Sequence, residues 1–104
     1  SMKLAIDNFA RMECSQKILV LGAMAELGAD SLQEHKDIVN AIREHTWQEV
    51  LLVGGDFAAS SEGYRYFATA ADAGAWLQQQ QLHSSLLLIK GSRSTGMEKI
   101  LDYL

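Results

Sequence analysis

The sequence contains no proline and a single cysteine, and it has no apolar stretch long enough to cross a membrane. Without proline, each helix and strand must stop at a glycine or at a polar cap. One cysteine, Cys14, excludes an internal disulfide bond and fits the cytosol. A membrane span needs about 20 apolar residues, and residues 1–3 lack the apolar core of a signal peptide. We therefore expect a cytoplasmic chain without membrane contact.

The sequence also lacks a basic cluster. Its 9 lysines and arginines stand against 13 aspartates and glutamates, so the formal net charge is −4. This charge argues against general nucleic-acid binding, which draws most of its affinity from a basic patch. The 104 residues fit one domain that is large enough to bury a core without disulfides. We expect a single domain, residues 1–104, and a monomer.

Short apolar runs predict the strands. None of the three strong runs alternates with polar residues, which is typical of strands buried on both faces of a parallel sheet. A weaker aromatic run predicts an edge strand. The strong runs are Ile18–Leu21, Val50–Val53 and Leu86–Ile89, and the weaker one is Tyr64–Phe67.

Apolar residues at helical spacing fill the segments between these runs. The stripes lie within residues 2–12, 32–42, 73–77 and 97–104. Ser31 and Thr69 occupy the positions of N-caps, and Ser31 with Glu34 has the spacing of a capping box. The alternation predicts an α/β fold, a Rossmann-like three-layer domain whose mostly parallel sheet is flanked by helices, with right-handed crossovers.

The carboxyl ends of the strands are the expected functional edge, because ligands of open α/β sheets bind there. Each strong run leads into a loop that contains glycine. These are Gly22–Gly28 (the first loop), Gly54–Asp56 (the second loop) and Lys90–Gly96 (the last loop). A predicted helix follows the last loop directly, and a helix N-terminus favours anions.

The last loop has the residues of an anion site. Lys90 and Arg93 supply positive charge, Ser92 supplies a hydroxyl, and Gly91 lets the backbone approach a ligand. This set suits a carboxylate or a phosphate. The same residues also fit a plain helix start, in which a hydroxyl after Arg93 caps the helix and both charges are solvated. The pattern favours neither interpretation.

The other polar and aromatic residues carry weaker signals. The first loop matches neither a dinucleotide fingerprint nor an ATP-binding P-loop, and Glu26 is its one ionisable residue. His35 lies on an apolar stripe, which predicts a hydrogen-bonded, half-buried histidine. Asp56 is expected to cap a helix, and Trp47 and Trp76 are expected in the core. No histidine or cysteine pair has metal-ligand spacing, so we expect no metal site in this chain.

Two segments are similar to one enzyme family. Lys17–Gly28, followed by Ser31 and His35, resembles the G-D-M-x-E-L-G segment of the UDP-N-acetylmuramoyl-tripeptide–D-alanyl-D-alanine ligases, the MurF family of the Mur ligases. Leu88–Arg93, followed by Met97–Lys99, resembles the K-G-S-R…M-E segment of the same family. The resemblance covers nearly the whole chain, and the motifs come in order within one α/β pattern. The chain is therefore expected to be similar to the C-terminal domain of such a ligase.

The resemblance implies a three-domain parent, of which this chain is a fragment. The N-terminal domain would hold the UDP-sugar, and the central domain would hold ATP and Mg²⁺. The C-terminal domain would bind D-alanyl-D-alanine and close over ATP. The implied reaction activates the carboxylate of UDP-N-acetylmuramoyl-tripeptide as an acyl phosphate, which the dipeptide amine then attacks. Since this chain has no ATP loop, we expect no catalytic residue and no cofactor in it, and no activity from it alone.

The resemblance also implies site residues. The substrate-binding candidates are Lys90, Ser92, Arg93 and Glu26, and the candidates for a nucleotide-facing loop are Gly22 and Gly91. Arg93 or the following helix start would hold the terminal carboxylate, and Glu26 would place the ammonium end or order its loop. In one departure, Ala23 stands where the family has aspartate. Either that aspartate is structural in the family, or the nucleotide contacts differ here.

Two alternatives stay open. The chain could belong to another Mur ligase that adds a different amino acid, although K-G-S-R counts against this. It could also be a free-standing α/β ligand-binding module. A coding sequence that continues upstream into a G-K-T/S loop would exclude that second alternative.

Overall fold

The computed structural model describes residues 1–104 and has a four-stranded sheet at its centre. The strands are β1 (Lys17–Gly22), β2 (Glu49–Val53), β3 (Arg65–Phe67) and β4 (Leu86–Lys90). The α-helices are α1 (Met2–Ala10), α2 (Ser31–Arg43) and α3 (Ala70–Gln79). Every pair of neighbouring strands is parallel, in the order β3-β2-β1-β4. The predicted α/β class and parallel sheet are confirmed.

The sheet is covered on both faces, which explains why the two central strands are apolar throughout. On one face, Leu19 and Leu21 of β1 pack in a cluster with α1 and α2. On the other face, Ile18 and Val20 pack with α3 and with a C-terminal 3₁₀ helix, Met97–Tyr103. Because successive side chains of a strand point to opposite faces, each apolar residue of β1 finds a core. β1 and β2 are buried as predicted.

β4 departs from the sequence prediction. The run Leu86–Ile89 was expected to be buried on both faces, but all four residues are only half-buried. β4 pairs with β1 on one side and has no strand on the other. The run lies at the edge of the sheet, and apolar composition alone does not distinguish an edge strand from a central one. The one strand that was predicted to lie at an edge, β3, does lie at the opposite edge.

The predicted helix starts have different outcomes. The Thr69 hydroxyl accepts a hydrogen bond from the Asp72 amide at 3.2 Å, so Thr69 is an N-cap as predicted. The capping box at Ser31 is wrong. A 3₁₀ turn, Gly28–Asp30, runs directly into α2, and Ser31 is already helical. α1 ends at Ala10, which leaves Met12 outside the helix and exposed.

The C-terminal stripe forms a 3₁₀ helix instead of the expected α-helix. Met97 and Ile100 are buried, whereas Leu101 and Leu104 are more than half exposed. A 3₁₀ helix has three residues per turn, so positions 97, 100 and 103 share one face. Tyr103 on that face packs so closely on α3 that a Cβ atom at Gly74 would overlap its ring.

No helix is long and apolar enough to span a membrane.

Both tryptophans lie at the margin of the core and are half-buried. The Trp47 ring stacks on Phe9 with 5.9 Å between ring centroids, and its indole nitrogen donates to the Ile42 carbonyl. The Trp76 ring lies beneath the Arg65 guanidinium, 4.4 Å from the ring centroid. Their placement in the core was therefore only partly correct.

Candidate functional site

The first and last loops are joined at the carboxyl edge of the sheet. The Ala23 carbonyl accepts a 2.8 Å hydrogen bond from the Ser92 hydroxyl and a 3.3 Å bond from the Ser92 amide. The Ala23 amide donates to the Val53 carbonyl, at the end of β2, at 2.8 Å. The loops that the sequence placed at one edge therefore form a single bonded surface.

Glycine is required where these two loops meet. A Cβ atom on Gly22 would lie 2.6 Å from the Thr95 hydroxyl oxygen and 2.7 Å from the Met97 side chain. A Cβ atom on Gly91 would lie 2.8 Å from the Cα atom of Gly22. Real Cβ atoms do not approach so closely, so both positions lack a side chain because the loops pack against each other. Contact with a nucleotide at these glycines stays a prediction.

The hydroxyls of the last loop are used mainly within the loops. Besides its bond to Ala23, the Ser92 hydroxyl lies 2.8 Å from that of Ser94. The Thr95 hydroxyl donates to the Ser92 carbonyl at 2.7 Å. Ser92 therefore orders the loop, whatever ligand it also contacts.

The α-helix expected after the last loop does not form. Arg93–Thr95 is a single 3₁₀ turn without a side-chain cap, and Gly96 follows it in the left-handed conformation. No α-helix N-terminus is available to attract an anion there, and neither Ser94 nor Thr95 caps one. Both interpretations of the loop assumed an α-helix, and that part of each is wrong. Of the two features predicted for the anion site, the structure therefore retains the positive charges of the loop and lacks the α-helix N-terminus.

Lys90 and Arg93 are exposed, and neither forms an ion pair within the chain. Lys90 borders a shallow hollow of about 250 Å³ that includes Met24 and Ala25 of the first loop. An unpaired cation can accept an anion without breaking any internal contact, and Lys90 can do so beside this hollow. Their exposure fits both a ligand-binding role and simple solvation.

A larger cavity, about 570 Å³, opens at the same edge. It lies between the first and second loops, the start of α3 and the last loop. The polar side chains that line it are Thr69, Ser94, Thr95 and Lys99. Sequence reasoning missed Thr69 and Lys99 as cavity residues, because contact between α3 and the C-terminal 3₁₀ helix was not foreseen. The capping signal of Thr69 and the M-E-K match were the available clues.

The acidic residues of the edge differ in their surroundings. Glu26 is exposed, forms no hydrogen bond or ion pair, and has φ of 62°. Positive φ in a residue other than glycine costs of order 1 kcal/mol and is retained only where the surroundings hold the backbone. The expectation that Asp56 caps a helix is wrong, since the 3₁₀ turn at Gly55–Ala59 starts from Gly54 without a side-chain cap.

Ala23 fits tightly into the wall of this edge. Its side chain is buried, and a Cβ atom on Gly55 would lie 2.6 Å from the Cβ atom of Ala23. Gly55 has φ of 50°, in the left-handed region that favours glycine. The two small residues let the first and second loops pass closely.

His35 is fully buried rather than half-buried, and it is hydrogen-bonded as predicted. Its Nε2 atom accepts from the Met24 amide at 3.0 Å, and its Nδ1 atom lies 2.7 Å from the Ser31 carbonyl. A carbonyl only accepts, so Nδ1 carries the proton and the ring is the neutral Nδ1–H tautomer.

One group of possible metal ligands lies outside this edge. Ligand atoms of Asp7, Glu44 and His45 fall within 4.8 Å of one another, at the end of α2 and beside α1. Sequence spacing does not reveal this group, because Asp7 lies in α1, far along the chain from the other two residues. His45 Nε2 and Asp7 Oδ1 lie 3.4 Å apart, so the contact is explained as a polar pair between α1 and the turn that follows α2.

Comparison with known proteins shows which class of protein this chain is similar to in sequence. No family model matches the chain. A UDP-N-acetylmuramoyl-tripeptide–D-alanyl-D-alanine ligase of Rickettsia prowazekii is 29% identical over 109 residues, covering 99% of this chain and 24% of the relative. The enzyme of the same name from Escherichia coli K12 is 33% identical over 105 residues, covering 96% of this chain and 23% of the relative.

Solved structures show the same similarity to the MurF ligases as the sequence relatives do. One crystal structure of MurF from Acinetobacter baumannii superposes with a TM-score of 0.82 at 32% identity and covers 98% of this chain. A second one gives 0.80 at 30% identity. The chain spans about a quarter of the length of these relatives. Its sequence and its fold are similar to those of the MurF ligases over that quarter of their length. Its relatives are the MurF ligases, and the family resemblance is confirmed.

Proposed function

We propose that this chain is the C-terminal domain of a three-domain ligase that joins D-alanyl-D-alanine to UDP-N-acetylmuramoyl-tripeptide, with residues 1–104 as one domain. The observation that carries the proposal is the Ala23–Ser92 contact. It joins the two segments that carry the family resemblance into one edge of the sheet. Two motifs 69 residues apart meet where open α/β sheets bind ligands.

This edge is proposed to bind the dipeptide and to close over ATP, while another domain holds most of the nucleotide and its metal. The chain has no G-K-T/S loop, and its three loops contribute only two carboxylates, Glu26 and Asp56. In the proposed parent, ATP and Mg²⁺ are held by the central domain, and ATP supplies the phosphoryl group of the acyl phosphate. No step of that transfer is assigned to residues of this chain.

The chain's own contribution is binding and orientation. Arg93 has the planar geometry to hold a terminal carboxylate through two parallel hydrogen bonds, and Lys90 adds positive charge in the same loop. Glu26 is an exposed carboxylate in the first loop, so it can hold the ammonium end of the dipeptide. That end then loses a proton, and the free amine attacks the acyl carbon and displaces phosphate. Ser92 holds the first and last loops together. Holding both ends of the dipeptide places its amine at the reacting carbon and raises the rate by fixing its orientation.

Closure of this domain over the central one completes the site in the proposal. The edge cavity is open to solvent, so this domain encloses a ligand from one side only. Closure of domains around substrates is a common step that excludes water before reaction. Because closure needs the other domain, the isolated chain is proposed to be inactive. It is also proposed to be monomeric and cytoplasmic.

The test is release of phosphate by the full-length protein, measured with ATP, UDP-N-acetylmuramoyl-tripeptide and D-alanyl-D-alanine. Single amino acids replace the dipeptide in the controls. Release that depends on the dipeptide supports the proposal. Release with a single amino acid instead would place the chain in another Mur ligase. No release with any acceptor would contradict a ligase function.

A further inference from the structure

His35 connects α2 to the first loop. Its ring comes from the first turns of α2, and its Nε2 atom accepts the Met24 amide of the first loop. The Nδ1–H group donates back to the Ser31 carbonyl within α2, which fixes the plane of the ring. The bond to Met24 is a side-chain bond that ties the first loop to a helix.

The same ring also contacts the segment after the second loop. Phe57, which is fully buried, meets the His35 ring edge to face, with 4.7 Å between centroids and an angle of 89°. Histidine at this position therefore packs between two segments of the ligand edge, one through a hydrogen bond and one through aromatic contact. A fully buried ring cannot touch a substrate itself.

The first loop needs such support because of its backbone. Two residues after Met24, Glu26 has a positive φ, which a chain without outside restraint rarely adopts. Met24 and Ala25 line the hollow beside Lys90 and the larger cavity. A hydrogen bond that holds Met24 therefore sets the shape of both the hollow and the larger cavity. It also sets the direction in which the Glu26 side chain points.

We propose that His35 is a positioning residue for the dipeptide-facing edge, acting through the Met24 amide. The inference rests on the proposed function for its link to the dipeptide. The structural part, that the Nε2 acceptor holds the first loop, is independent of the substrate. The neutral Nδ1–H ring is required, since a proton on Nε2 would face the Met24 N–H and remove the acceptor.

Two amide variants separate the two ends of the imidazole. His35→Gln places an acceptor near the position of Nε2, and His35→Asn keeps a polar group only near Nδ1. Leu77→Ala serves as the control, because Leu77 is buried on the opposite face of the sheet. It should lower stability without reaching the first loop.

The first measurement is amide hydrogen exchange at Met24 in this chain. We expect exchange about tenfold faster in His35→Asn, the change that corresponds to one lost hydrogen bond of ordinary strength. In His35→Gln it should stay close to wild type. Leu77→Ala supplies the correction for any global loss of stability. Equal Met24 exchange in the Asn and Gln variants would overturn the positioning role.

The second measurement is the KM for D-alanyl-D-alanine in the full-length ligase. His35→Asn should raise it about tenfold, His35→Gln should restore it, and Leu77→Ala should leave it unchanged. An unchanged KM in the folded His35→Asn variant of an active enzyme would overturn the inference alone. A wild-type protein that does not use the dipeptide would instead overturn the proposed function, and the link to the dipeptide with it.

Discussion

Arg93 is the side chain of this molecule best suited to a carboxylate, and nothing in the chain neutralises it. In the full-length enzyme, Arg93→Ala should raise the KM for D-alanyl-D-alanine roughly 10- to 100-fold, because a charge-assisted hydrogen bond is lost. Steady-state kinetics with varied dipeptide measure this. Lys36→Ala is the control, since Lys36 is an exposed cation of α2. If KM and kcat both stay at the wild-type values, Arg93 does not belong to the site.

Ala23 decides how closely the first and second loops approach. Ala23→Asp, which creates the residue of the family pattern, should lower the free energy of unfolding by about 1–3 kcal/mol, because a carboxylate is placed in a buried position without a partner. Urea unfolding of this chain measures the loss.

Ala25→Asp is the matched control, because Ala25 is exposed in the same loop. It should change the free energy of unfolding by less than about 0.5 kcal/mol. Equal stability of the two aspartate variants would show that the edge has room at position 23. The small residue would then have to be explained by the ligand and not by packing.

The C-terminal 3₁₀ helix tests how well the spacing of apolar residues predicts which side chains of a helix are buried. Ile100→Ala should lower the free energy of unfolding by about 2–4 kcal/mol, because it leaves a cavity in the core under the sheet. Leu101→Ala should change it by less than about 0.5 kcal/mol, since Leu101 is 62% exposed. Denaturant unfolding distinguishes the two. Similar losses at both positions would favour the α-helical stripe expected from the sequence.

Elements buried on both faces could be predicted from the sequence, and those that depend on long-range contacts could not. β1 and β2 are central, so composition alone identifies them. The half-buried β4 and the 3₁₀ form of the last helix depend on neighbours that no local pattern specifies. The cap at Ser31 failed because the preceding 3₁₀ turn already supplies the Gly28 carbonyl to the Ser31 amide.

The candidate site follows the same division. Topology and glycine placed all three loops at one edge. The Ala23–Ser92 bond joins the first and last loops there, and the close approach of Gly55 to Ala23 adds the second. The roles of Lys90, Arg93 and Glu26 in binding stay predictions. Lys99 entered the cavity only through the packing of α3 against the chain end, which sequence spacing does not encode.

At the scale of the whole molecule, the open cavity predicts weak binding by the isolated chain. Tight small-molecule sites bury most of the ligand surface, whereas this edge covers a ligand from one side. Calorimetric titration with D-alanyl-D-alanine or with ATP should show no measurable heat of binding up to about 1 mM, which limits any affinity to roughly −4 kcal/mol or weaker. Micromolar binding of ATP by this chain would contradict the assignment of the nucleotide to another domain.

The free edge of β4 has a consequence for the protein in the test tube. Four successive aliphatic residues, Leu86–Ile89, run along a strand whose outer side pairs with nothing in this chain. Unpaired apolar edges recruit strands from other molecules, which leads to aggregation. We therefore expect the strand that carries Lys90 to the ligand edge also to promote association between copies of this chain at high concentration.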